Sequence, residues 1–316
     1  MSQWRSTDPL VSVCVPTYNH VDYVSDCLNG ILCQETTFAF EILVRDDASQ
    51  DGTQEVLKHF QSLYPDIIQL TLNEHNEFPG KRPLAALMAV ASAEFIALCE
   101  GDDYWIREDK LERQATLLLA DQGRSAVAHS VATLRSNELE VPSSEGGRWE
   151  FVRGDMQAIA HLQTVSLMFR HLKLSHEDLN KGFYGDVILK SQLCSRGSIL
   201  IENNYCASVY RVHSGGLFSS LDPREADRKG LISHFAAAQL LAERGDRQGA
   251  ADLFALSVRE SAEWFQRNYG VDIVGKTRGQ LGTKFRLFNR LRSKWRTSPI
   301  ARRWYFRLKG RSDPRL

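Results

Sequence analysis

Between residues 10 and 123 the chain passes four times from a short apolar run into a stretch of helical period, and no other feature limits the fold as strongly. Val11 to Val15 precedes Val21, Val24, Leu28 and Ile31. Ile42 to Val44 precedes Val56, Leu57, Phe60 and Leu63, with Asp51 expected as the helix N-cap and Gln54 three positions on. Ile67 to Leu72 precedes Leu84, Leu87, Met88 and Ala91. Phe95 to Cys99 precedes Leu111, Ala115 and Leu118, in a helix stopped by Gly123. Strands joined through helices return to the same end of a sheet and lie parallel. The pattern therefore predicts an α/β fold, a mostly parallel Rossmann-like sheet with helices on both faces.

After residue 135 the rhythm changes. Ser136 to Gly147 is polar and reads as a surface loop, with a subdomain boundary expected there. Beyond it we expect a strand at Val165 to Phe169, a helix opening near Asp186 and closing at Gly197, and an alternating strand from Tyr205 to Val212. Residues 222–270 read as helical. The expected divisions are 10–135, 136–220, a helical extension 221–275 and a tail 276–316.

Charge adds a contrast that composition conceals. The 39 Lys+Arg balance 39 Asp+Glu, which argues against a dedicated nucleic-acid binder. The tail, however, holds 14 Lys+Arg against the single acid Asp313, so it carries +13 and the rest −13. Within it Phe285, Phe288, Leu291, Trp295, Ile300, Trp304 and Leu308 recur at helical spacing among the basic residues. Two readings fit: an amphipathic segment lying on an anionic membrane surface, or a terminal helix packed on its own domain. The six Cys show no CxxC spacing and mostly lie in apolar runs, as free thiols of a reducing compartment do, and a cytoplasmic location is expected. Met1 to Leu10 lacks the apolar core of a signal peptide. Leu84 to Cys99 is interrupted by Glu94 and falls short of the roughly 20 residues that span a bilayer, so no transmembrane segment is expected.

In open parallel sheets ligands bind beyond the carboxyl ends of the strands. Three polar clusters stand at such ends: Pro16-Thr17-Tyr18-Asn19, then Asp46-Asp47-Ala48-Ser49-Gln50-Asp51-Gly52-Thr53, then Glu100-Gly101-Asp102-Asp103-Tyr104-Trp105. Three acids within four residues repel one another unless something positive is bound, and carboxylate oxygens suit Mg²⁺ or Mn²⁺ sharing its shell with phosphates. The plainer reading of any one acidic turn is a helix cap. Neither GxxxxGK[ST] nor GxGxxG occurs, so a P-loop or dinucleotide fingerprint is unsupported.

The order Val13-Cys14-Val15-Pro16-Thr17-Tyr18-Asn19, Asp46 to Thr53, and Glu100-Gly101-Asp102-Asp103 resembles glycosyltransferase family 2 over residues 10–220. Tyr184-Gly185-Asp186 and Val209-Tyr210-Arg211-Val212-His213-Ser214-Gly215-Gly216 resemble the Gly-Asp and Tyr-Arg-x-His segments of its bacterial polysaccharide-type members. The resemblance implies the GT-A fold and transfer of a sugar, with inversion, from a nucleotide-diphosphate donor of UDP or dTDP type to a glycan or lipid-linked acceptor hydroxyl. It makes 10–135 the donor-binding part and 136–220 the acceptor and catalytic part. Carried over by position, Pro16, Thr17 and Tyr18 line the nucleoside pocket and Asp46 accepts a pyrimidine imide N–H. Lys81, Arg82 and Arg211 meet the diphosphate. Asp102 contacts ribose, and Asp102, Asp103 and His213 hold Mn²⁺ or Mg²⁺. Asp186 is implied as the base, with an N-cap as the competing role. Trp105, Trp149 and Tyr184 look exposed, fit either to stack on sugar rings or to pack. From other classes, a sugar-1-phosphate nucleotidyltransferase and a non-catalytic sugar-nucleotide binder stay open.

Overall fold

The computed structural model describes residues 8–143, 147–216 and 221–270. The four βα units stand where the sequence places them. Strand β1 (Pro9–Thr17) leads to α1 (Val24–Leu32), β2 (Ala39–Asp46) to α2 (Thr53–Leu63), β3 (Ile68–Leu72) to α3 (Pro83–Val90), and β4 (Phe95–Leu98), through a short β5 (Tyr104–Trp105), to α4 (Lys110–Leu119). Then follow β6 (Arg124–Arg135), β7 (Glu138–Glu140), β8 (Arg148–Phe151), two 3₁₀ turns (Met156–His161, Thr164–Ser166), β9 (Met168–Arg170), α5 (His176–Asn180), α6 (Gly185–Arg196), β10 (Ser198–Val212), α7 (Pro223–Glu243) and α8 (Arg247–Tyr269).

Ten strands make one sheet in the order β3-β2-β1-β4-β9-β6-β10-β5, with β7 on β6 and β8 on β10. The β3-β2-β1-β4 block is parallel, as is the β6-β10 pair, while β9 runs against both β4 and β6. Val13, Cys14 and Val15 are fully buried in succession, as on a strand covered on both faces. Against them pack Val24, Leu28 and Ile31 of α1 and Leu111, Ala115 and Leu118 of α4, each fully buried. A side chain removed from water in this way contributes about 1.5–3 kcal/mol.

Several expectations change. Residues 165–169 are not one strand, because a 3₁₀ turn precedes the three-residue β9. β6 is twelve residues long and lies beyond the four expected units. It pairs with β9 and β10, so the sheet runs across residue 135. The stretch Ser136 to Gly147 contains the exposed strand β7. β10 starts at Ser198, seven residues before its expected start. The cap of α2 is Gly52, at φ 102°, and Asp51 sits one place earlier, its Oδ1 accepting from Thr53 N–H at 3.0 Å. By compactness the chain falls into a unit through Phe254 and another from Ala255. Among the described residues no helix is long and apolar enough to cross a membrane. All six cysteines are free, with Cys33 exposed and Cys206 half-buried. The tail 276–316 lies outside the described residues.

Candidate active site

Sheet register brings the first two clusters together. Thr17 pairs with Asp46 across β1 and β2, and the loops beyond are laced by side chains. Ser49 Oγ accepts from Asn19 N–H at 2.7 Å, Thr53 Oγ1 from His20 N–H at 2.8 Å, and Asp51 Oδ2 from Val21 N–H at 3.0 Å. Asn19 and Ala48 take positive φ, 54° and 65°, to make these turns. Asp46 is fully buried. Its Oδ1 accepts from Ser49 N–H (2.9 Å) and Gln54 Nε2 (2.8 Å), its Oδ2 from Thr17 Oγ1 (3.0 Å) and Ser49 Oγ (2.5 Å). A carboxylate offers about four acceptor directions, and these four donors use them, so Asp46 shapes the loop. Asp47, also buried, accepts from Asn73 Nδ2 and from the N–H groups of Glu77 and Phe78. Pro16 is half-buried, Thr17 is buried and Tyr18 is exposed.

The third cluster lies beside the first. Gly101 N–H donates to Pro16 O at 3.0 Å. A Cβ on Gly101 would fall 2.5 Å from Thr17 Cγ2 and 2.8 Å from His20 Nδ1, so this close approach requires glycine. Asp102 Oδ2 then lies 3.1 Å from His213 Nε2 and 3.7 Å from His20 Nε2. Burial lowers the His20 pKa, against the opposing pull of Asp102. Tyr23 packs on the His213 ring at 4.6 Å.

Asp103 and Arg211 bond to each other through the main chain of Arg211. Asp103 is buried, and its Oδ1 accepts from Arg211 N–H at 2.9 Å. Burial, then the charges of Asp102 and Glu100, push its pKa well up. Through Oδ1 it fastens the acidic loop to the end of β10. Arg211 is buried between Tyr104 (4.2 Å) and Tyr23 (5.3 Å), donates to Asp102 O at 2.9 Å and pairs with Asp26. A guanidinium with these partners supports the loop. Glu100 is pushed up to about 7 by burial and by Asp102, and its Oε2 has no partner among the described residues.

Across the strand ends stands α6. Its cap residue is Tyr184, and Asp186 is the second helical residue, which sets aside the N-cap reading. Asp186 Oδ2 accepts from Lys190 Nζ at 2.7 Å. Arg82 reaches the end of α5 and the turn before α6: Nε donates to Asn180 Oδ1 at 2.6 Å and one Nη to the carbonyls of Gly182 (3.1 Å) and Phe183 (3.0 Å), while Asp186 acts on its charge. Lys81 is exposed and bonds Glu77 Oε1 at 2.5 Å. Trp105 is 3% exposed, with Nε1 donating to Val165 O, so it packs and stacks on no sugar. Tyr184 donates its hydroxyl to Ala226 O. Trp149 is exposed but pairs with Ile201, ten residues of β10 away from Arg211. His20 and Lys190 escape the sequence reading, although His20 directly follows the first cluster and Lys190 sits one turn after Asp186.

Residues 12–181 match the sequence model of glycosyl transferase family 2, more than half of the chain. The chain belongs to glycosyl transferase family 2. It is 27% identical over 278 residues to the uncharacterized protein Rv1520 of Mycobacterium tuberculosis, covering 86% of this chain and 77% of that one. Staphylococcus aureus TarS 1–349, solved with UDP-GlcNAc, superimposes with a TM-score of 0.61 at 18% identity over 82% of this chain and 74% of that one. The mannosyltransferase PcManGT of Pyrobaculum calidifontis, solved with GDP-Man and Mn²⁺, gives 0.53 at 16% identity over 95% and 84%. The fold is GT-A, and the chain is a glycosyltransferase.

Proposed function

We propose that this glycosyltransferase is inverting and metal-dependent, and that it moves a sugar from a UDP- or dTDP-sugar to a glycan or lipid-linked acceptor hydroxyl in cell-surface polysaccharide synthesis. The observation that carries the reading is Asp102 set against two imidazoles at the carboxyl ends of the sheet. Among the described residues no group of three or more His, Cys, Asp or Glu is placed so that it could hold a metal ion as it stands. By donor chemistry the three side chains suit a divalent ion: one carboxylate with two imidazoles favours Mn²⁺ over Mg²⁺, and the lowered pKa keeps His20 neutral for ligation. Asp102, His213 and His20 would hold it. A bound ion there neutralises the charge of the diphosphate leaving group.

The chain's own residues do the rest. Pro16, Thr17 and Tyr18 wall the nucleoside side, and Arg82 ties the donor side to the α6 entry. Asp186 takes the acceptor hydroxyl proton as the oxygen bonds to the anomeric carbon, while the bond to the diphosphate breaks and its electron pair leaves with the nucleotide. Support for a pyrimidine nucleotide is the UDP-GlcNAc complex of TarS. The polysaccharide acceptor rests on the Gly-Asp and Tyr-Arg-x-His resemblance. The +13 tail, with its apolar residues at helical spacing, would draw the enzyme to the inner face of an anionic membrane.

Asp186→Asn tests the base. UDP release from a panel of UDP-sugars with Mn²⁺ is expected to slow on the order of 10²–10⁴-fold, with nucleotide affinity intact. A rate near wild type moves the base elsewhere. Asp178 is a poor replacement, since Ser175 and Arg244 occupy its carboxylate.

A further inference from the structure

We propose that Lys190 is a positioning residue for Asp186, holding its carboxylate ionised and fixing the direction in which it meets the acceptor hydroxyl; the inference rests on Asp186 being the base. The two residues stand one turn apart on α6, with Nζ 2.7 Å from Oδ2. Their exposure is unequal. Asp186 keeps 34% of its side-chain surface and Lys190 only 10%. A solvent-facing pair at this spacing contributes about 0.3–0.5 kcal/mol and needs no burial. Here Lys190 belongs to a run of buried α6 residues that includes Val187, Ile188, Leu189 and Leu193, and an apolar residue of similar length would be cheaper to bury there. Stability does not explain a lysine at this place. Its charge lies against one oxygen of a carboxylate that stays partly exposed.

The surroundings support this direction of action. Burial pushes the Asp186 pKa up, yet the charge and hydrogen bond of Lys190, with backbone N–H groups of the first turn, hold it below the usual aspartate value. Other charged or titratable groups that face Asp186 are Arg82 ahead of α3, Glu100 behind β4 and Tyr184 at the cap, while Glu225 and Asp227 of α7 act on Tyr184. The Arg82 guanidinium is spent on Asn180, Gly182 and Phe183, so Lys190 is the cation bonded to the carboxylate. With Oδ2 pinned, the carboxylate is ready as acceptor below neutral pH. Once the carboxylate has taken the proton the ion pair with Lys190 is lost, and regaining it favours release of the proton to solvent before the next turnover.

The test compares wild type with K190R, K190Q, K190M and D186N. UDP release from UDP-sugars with Mn²⁺ is followed from about pH 4.5 to about pH 9. UDP affinity and unfolding midpoints are measured in parallel. Loss of the charge in K190Q and K190M leaves the effect of burial unopposed, so the acid limb of kcat/KM, which lies below the measured range in wild type, is expected to rise by at least about one pH unit and enter that range, with UDP affinity unchanged. K190R should keep the limb in place. K190Q, which retains hydrogen-bond donors, carries the comparison if K190M folds poorly. An unmoved acid limb in K190Q overturns the role of Lys190 while a dead D186N leaves the base reading standing. An active D186N overturns the base reading and this inference with it.

Discussion

Lys110 offers the sharpest test of the packing. It opens α4 and is fully buried, with Nζ donating to Gln114 Oε1 at 2.8 Å and lying 4.0 Å from the centre of the Trp105 ring. Burial lowers its pKa from 10.5 to about 7, and the positive end of the helix dipole acts in the same sense. Its charge also helps to hold buried His129 down at about 3, after burial itself. The unfolded chain keeps the lysine proton up to about pH 10.5, whereas the folded chain releases it near 7. Between these values the unfolded state binds more protons, so stability rises with pH; below 7 the full penalty applies, and above 10.5 it is gone. At about 1.4 kcal/mol for each tenfold change in proton affinity, the penalty is on the order of 5 kcal/mol. Lys110→Met removes it and forfeits the Gln114 bond and the ring contact, worth about 1–2 kcal/mol together. Urea unfolding should find the variant about 3 kcal/mol more stable near pH 6 and slightly less stable near pH 10. Stability curves that run parallel across this range would refute the reasoning.

Asp46→Ala leaves the donors of Thr17, Ser49 and Gln54 without their acceptor, and thermal unfolding is expected to show a loss of about 1–3 kcal/mol; a stable variant with weakened nucleotide binding would return Asp46 to the nucleobase. Asp102→Asn should weaken Mn²⁺-dependent UDP binding by calorimetry at least about tenfold while the fold persists, and unchanged metal dependence argues against a metal at this carboxylate. Removing residues 276–316 is expected to abolish co-sedimentation with anionic vesicles, each basic residue near such a surface being worth about 1 kcal/mol. Sedimentation that survives the truncation places the membrane contact elsewhere.

What the linear chain determines by itself is whatever rests on local pattern. Apolar period tells strand from helix at β1 to β4 and α1 to α4, because period-2 and period-3.6 burial are properties of neighbouring residues. Polar clusters directly after apolar runs mark the strand ends, and with them Asp102, while His213 and Asp186 come from the likeness of their segments to the family. Tertiary structure decided what these residues face. Asp46 and Asp103 read as ligand carboxylates, yet sheet register surrounds one with Thr17, Ser49 and Gln54 and gives the other the Arg211 N–H. Trp105 reads as an exposed aromatic until β10 pairs with β5 and buries it. β9 is too short to show a period, and its place between β4 and β6 depends on partners that lie far away in the chain. His20 joins Asp102 and His213 only through close passage over Gly101. Strand formation depends on near neighbours, whereas the occupancy of a lone pair depends on which distant donor the register delivers.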